Sequence, residues 1–223
     1  MRYRKLDRGR GTFDLSLFAI IGSLQIFLIS IHIWMGLATR QNPAHVWPDM
    51  LNIARDYSLG ELLNYALWVV IIACVFVAWR RARDPLLLAT AFVYLLAFVD
   101  DAFQLHERSA YVVMALDFHL SYSAMIFTLA ELVVWAFLGL IFFGVIVLTW
   151  PNATAETRAK LAPQAILFGV LVFLAVGIDV IHQLAEKRTL TAGIIGVIED
   201  GGEMLVLTAM LAHALPTFGR DTS

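Results

Sequence analysis

Two short stretches of this chain place acid, amide and imidazole groups at intervals that suit shared chemistry. Residues 100–107 read DDAFQLHE and residues 179–186 read DVIHQLAE. They agree at Asp100 and Asp179, Gln104 and Gln183, Leu105 and Leu184, and Glu107 and Glu186. On a helix, positions i, i+3, i+4 and i+7 share a face, so Asp179, His182, Gln183 and Glu186 form one polar stripe. Asp100, Gln104 and Glu107 form another, with Phe103 in the place of the histidine. Glu199 and Glu203 repeat the i, i+4 spacing near the C-terminus, Asp200 lies one turn from Glu203, and Glu131 adds a further acid. Carboxylates with one or two imidazoles make a ligand set suited to a divalent ion such as Zn, Fe, Mn or Cu. Inside helix bundles such sets build metal centres. The expected metal-binding set is therefore Asp100, Glu107, Glu131, Asp179, His182, Glu186, Glu199 and Glu203, converging on one interior.

The elements that must position these groups are transmembrane helices. The chain has 223 residues, of which 60% are hydrophobic and only 15% charged, where a soluble domain carries roughly a quarter charged residues. Apolar segments near 15–37, 62–79, 85–106, 124–149, 162–185 and 190–214 each approach the roughly 20 residues needed to cross a bilayer. The fold class expected is all-α: one polytopic bundle of six transmembrane helices filling residues 1–223, with no soluble domain. The basic start (Arg2, Arg4, Lys5, Arg8, Arg10) precedes an apolar stretch too long for a signal peptide, so the first segment is read as a retained helix.

Charge distribution sets the orientation. With the N-terminus in the cytoplasm, only Arg40, Arg55, Arg108, Lys187 and Arg188 fall outside, and the remaining basic residues fall inside. Both termini are then cytoplasmic. The acids run the other way, only Asp7, Asp14, Asp84, Glu156 and Asp221 lying at the inner end. Nothing basic or aromatic is arranged for nucleic acid. The single Cys74 excludes an intramolecular disulfide. The partners expected are the lipid bilayer and, beyond it, other membrane proteins or further copies of this chain.

Both acidic motifs follow a proline, Pro85 or Pro163, read as opening its helix, and Glu131 has a loose counterpart in Glu203. Helices three and four and helices five and six therefore read as two copies of one helical hairpin, related by an axis along the membrane normal. A chance match of short motifs is the competing reading. At about 1.5 Å per residue, Asp100 and Asp179 lie roughly 22 Å from the inner ends of their helices. An ionised acid at such depth costs about 2.5–3.5 kcal/mol even on a lenient scale. A bound cation, protonation within a proton relay, or hydrogen bonds and salt bridges in a purely structural polar core would each offset it.

Among the histidines, His182 lies on the acidic stripe and is the preferred ligand. His106 adjoins Glu107 but has Ala185 as its counterpart, so a role at the water boundary and ligation both stay open. His32 could cap the same cavity or serve packing alone, and His45 and His119 have weaker claims in outer loops.

The words D-D-x-x-x-L-H-E (Asp100 to Glu107) and E-D-G-G-E (Glu199 to Glu203) resemble those of uncharacterised multi-pass proteins of bacterial inner membranes, over the last four helices. That resemblance implies a location in the bacterial cytoplasmic membrane and brings no mechanism. No lysine lies within a transmembrane segment to hold retinal, and no nucleophile motif or nucleotide loop is present. The functions left open are cation or metal binding with or without chemistry on a lipid or small molecule, a non-catalytic subunit of a larger membrane complex, and proton or ion translocation.

Overall fold

A computed structural model describes residues 11–42, 47–116, 124–185 and 189–219. The elements in order are α1 (Leu15–Gln41), α2 (Leu59–Ala82), α3 (Pro85–Phe103), α4 (Leu105–Leu116), α5 (Ala124–Thr149), α6 (Ala155–Val172), α7 (Asp179–Leu184) and α8 (Leu190–Ala214). A π-helical segment, Phe173–Ile178, joins α6 to α7, and another, Leu215–Gly219, follows α8.

The helices begin where short polar side chains can accept otherwise orphaned backbone N–H groups. Asp14, Ser58, Asp84, Thr154 and Thr189 cap α1, α2, α3, α6 and α8 in this way. Pro85 occupies the first turn of α3, where its missing N–H costs nothing. Asp84 does a second task. Its Oδ1 accepts from Leu86 N–H at 3.0 Å and its Oδ2 from Thr154 N–H at 2.9 Å, tying the start of α3 to the start of α6.

Five helical stretches are long and apolar enough to cross a membrane: Leu15–Gln41, Leu59–Ala82, Pro85–Phe103, Ile126–Asn152 and Ala155–Leu184. By length and composition these mark the chain as a membrane protein. Large apolar side chains such as Ile20, Leu140, Phe143 and Leu148 stand at least 69% exposed, a surface that only lipid solvates cheaply. The expected sixth crossing, α8, has 25 residues but carries Glu199, Asp200 and Glu203 in its middle, and it is not among these five. It is packed instead into the bundle, with Met204, Leu207, Thr208 and Met210 almost fully buried. Around it, Trp68, Ile71, Val75, Leu86, Leu87 and Tyr94 from α2 and α3 make the main core.

The paired motifs are built differently, contrary to the expectation of two equal stripes. In the first, α3 stops at Phe103 because Gln104 takes the left-handed conformation (φ 52°), and the chain restarts as α4. In the second, Gln183 stays helical within α7. Pro163 does not open its helix either, since α6 begins eight residues earlier at Ala155. The prolines therefore sit at different helical positions, and the π-segment alters the helical phase ahead of Asp179.

Candidate metal centre

The break at Gln104 folds the start of α4 back over the end of α3. The carboxylate of Asp100, at 1% exposure, then accepts twice from one residue. Its Oδ1 takes the His106 backbone N–H and its Oδ2 meets His106 Nδ1, both at 2.9 Å. Where the carboxylate acts as acceptor, this contact places a proton on Nδ1, so that the neutral imidazole carries its lone pair on Nε2. That nitrogen lies 4.0 Å from Glu107 Oε1. Across from it, Glu131 projects from α5. One ligand atom from each of His106, Glu107 and Glu131 lies within 4.8 Å of the other two, the one trio of this kind among the described residues, and such a group could hold a metal ion.

Support reaches the trio from a second side. Gln183 in α7 donates through Nε2 to Glu131 Oε2 at 2.9 Å and to Asp179 Oδ2 at 2.8 Å. Its Oε1 accepts from the Thr128 hydroxyl. Trp135 packs its ring on the His106 imidazole, with centroids 5.1 Å apart. Both ends of the candidate centre are thus oriented by partners outside it, the arrangement that usually sets a ligand's tautomer and geometry.

Electrostatics raise both α4 residues, which lie outside the membrane-crossing stretches. Burial pushes the His106 imidazole down, but the Asp100 hydrogen bond and the charges of Asp100, Glu107 and Glu131 more than reverse this, leaving it above its ordinary value of 6.5. Burial lifts the Glu107 carboxyl above 4.5, and the charges of Glu131, Asp56 and Asp179 add to the lift against the opposing effect of His106.

The trio opens on a cavity of about 220 Å³ with an acidic wall and an aromatic and aliphatic floor. Of the residues expected to converge, Asp100, Glu107, Glu131, Asp179, Glu199 and Glu203 line it. His182, the preferred ligand, does not. It lies on the far side of Glu199, whose Oε2 it meets through Nδ1 at 2.6 Å, and it lines a different cavity. The reason is the 100° step of the helix: Asp179 and Gln183 face inward, and α8 occupies the space beside His182, where Gly196 leaves room for the ring. Glu186 lies outside the described residues, as do His45 and His119.

Three groups outside the expected metal-binding set also line the cavity: Asp101, His106, whose ligation the sequence left open, and Asp200, which the sequence placed beside Glu203. The Asp100-Asp101 pair held the usable signal. Adjacent acids near a helix end cannot both lie on one narrow stripe, so both reach protein or water only if a second element folds over them. Trp68 of α2 lines the cavity together with Asp101.

The fold and site together define a class: a helical membrane protein with a polar, acid-rich cavity between its helices at one end. The chain belongs to the family of the domain of unknown function DUF8692, which matches residues 19–215 and so takes in nearly every helix described above. Comparison with curated proteins and with solved structures gives no match.

Proposed function

We propose that this protein crosses a bacterial cytoplasmic membrane six times, with both termini in the cytoplasm, and binds a divalent metal ion at its outward end through His106 Nε2, Glu107 and Glu131. The observation that carries the reading is the trio itself, with ligand atoms within 4.8 Å of one another and an imidazole whose free lone pair is set by buried Asp100. Two carboxylates and one imidazole suit Zn, Mn or Fe, and three protein ligands leave a coordination position for water or substrate. The sixth crossing is α8. Its acids face a cavity rather than lipid, which removes the objection that their charge raises against insertion.

The polar contacts beyond the trio favour proton supply to the same centre over passage through the protein. From Glu131 they run through Gln183 to Asp179, and Glu199, which lines the same cavity, meets His182. All of these lie at the end of the bundle that carries the trio. Trp68, Phe168 and Leu207 line the same cavity, with Tyr94 packed against Trp68 and Phe168 at ring distances of 5.7 and 5.3 Å.

The test is metal analysis of the protein purified in detergent, followed by thermal melting with chelator and with added Zn, Mn or Fe. Bound metal near one ion per chain, a melting temperature raised by one of these ions, and loss of both in His106→Ala are expected. A wild-type protein without metal whose melting ignores all three ions would refute the reading, and a non-catalytic role in a larger membrane complex would then be preferred.

A further inference from the structure

Between α1, α2 and α8 a polar layer interrupts the apolar core. Gln25, Asn64 and Thr208 are 0%, 8% and 0% exposed. The Thr208 hydroxyl donates to Gln25 Oε1 at 2.6 Å. Gln25 Nε2 and Asn64 Oδ1, by contrast, are buried with no hydrogen-bond partner. An amide donor and an amide acceptor left unmet in an apolar interior are costly, and native folds rarely leave them so.

Helix register brings the two unmet groups to one level. A Cβ at Gly60 would lie 3.2 Å from Met204 Cε, and one at Gly219 would lie 3.4 Å from Cys74 Sγ. The α2 helix therefore runs parallel to α8 and the segment that follows it. One turn on from Gly60 and Met204, Asn64 stands opposite Thr208, which already holds Gln25. The layers above and below are apolar, with Leu28, Ile53 and Met204 on one side and Ile21, Leu67 and Leu211 on the other. Space is present beside the amides. Gly22 shares the Gln25 face one turn away and is buried, yet a Cβ on it would meet nothing within 4 Å.

We infer that Gln25, Asn64 and Thr208 hold one water molecule that pins α1 to α2 and α8. The guest must accept from Gln25 Nε2 and donate to Asn64 Oδ1, and Thr208 Oγ1 keeps a lone pair for its second proton. A metal cation cannot accept, and a simple anion cannot donate. Water does both, and about three bonds is the usual number for an internal water. Reversing either amide exchanges donor for acceptor, and water serves each arrangement. The α1 helix also bonds to α8 at its start, where the Asp14 N–H meets the Ala212 carbonyl at 2.8 Å, so the water fixes its register at a second, deeper level. The inference does not depend on the metal.

A structure of the intact protein at a resolution that orders internal waters should show one water within hydrogen-bond reach of Gln25, Asn64 and Thr208. A layer without that water, whether closed by an amide–amide bond or filled by apolar side chains, would overturn the inference. Gln25→Met and Asn64→Leu nearly keep the side-chain volume, and each should lower the folding equilibrium constant about tenfold in reversible denaturation from mixed micelles. Because the water is shared, the second substitution finds it already lost, and the double variant should stay near tenfold. A double variant near the roughly hundredfold product of independent losses would also overturn it.

Discussion

Replacing Asp100 by Asn isolates the feature on which the metal reading depends. The buried carboxylate accepts from both the backbone and the ring of His106 at 2.9 Å. An asparagine can keep the backbone contact through its single oxygen, but it then turns an NH2 group towards Nδ1. The ring responds by moving its proton to Nε2, the nitrogen that faces Glu107 and would carry the metal. Losing an orienting partner of this kind weakens metal affinity about 10–100-fold. At a free metal concentration about 100 times the wild-type dissociation constant, binding stabilises the wild type by about 2.7 kcal/mol, and the variant by only about 1.4 to 0.4 kcal/mol. Thermal melting at matched metal concentration, paired with a competition titration against a chromophoric chelator, measures both quantities. The same melts in excess chelator serve as the reference for the apo fold. An Asp100→Asn protein with wild-type metal affinity would refute the tautomer argument, whatever its stability.

Five further outcomes are expected. The metal-free protein should lose stability as pH rises through the His106 and Glu107 titrations: both groups sit above their ordinary values of 6.5 and 4.5 in the fold, so each favours the folded state below its ordinary value and that contribution fades as pH climbs through the raised one. Metal uptake should run the opposite way, growing over the same pH range because protons compete for His106 Nε2, and a metal-induced melting shift that shrank with rising pH would contradict it. Asp84→Ala removes a helix cap, worth about 1 kcal/mol, and also leaves the Thr154 N–H without its acceptor, for a further loss of about 1–3 kcal/mol; a change below 0.5 kcal/mol in reversible unfolding would show the α3 to α6 tie to be idle, taking about 0.5 as the scale of an ordinary surface substitution. Asp84 also predicts acid sensitivity: burial raises its carboxyl, but bonds from Thr154, Thr157 and Leu86 outweigh this and hold it below 3.8, so its stabilising effect persists above that value and disappears only as pH falls through the lowered one. Reporter fusions after Arg83 and after Lys187 should give opposite sidedness, and matching sidedness would sink the six-crossing topology.

The sequence alone determined the solvent of this protein and most of its helices. Hydropathy is a sum over residues, so twenty apolar positions in a row declare a crossing without knowledge of their neighbours, as for α1, α2, α3, α5 and the stretch from α6 to α7. It also singled out Asp100, Glu131, Asp179, Glu199 and Glu203, which line one cavity, because a carboxylate within an apolar helix is costly wherever the helix packs. Helical phase was harder to read. No glycine or proline announces the left-handed turn at Gln104, and nothing local announces the π-segment before Asp179. Those two departures decide which groups meet. The first swings His106 from a surface position onto Asp100 and towards Glu131, and α8 packing against α7 leaves His182 beside Glu199, outside the acidic cavity. Spacing places residues on a face of one helix, whereas a metal centre requires atoms from several helices within a few ångströms, and only tertiary packing fixes that distance.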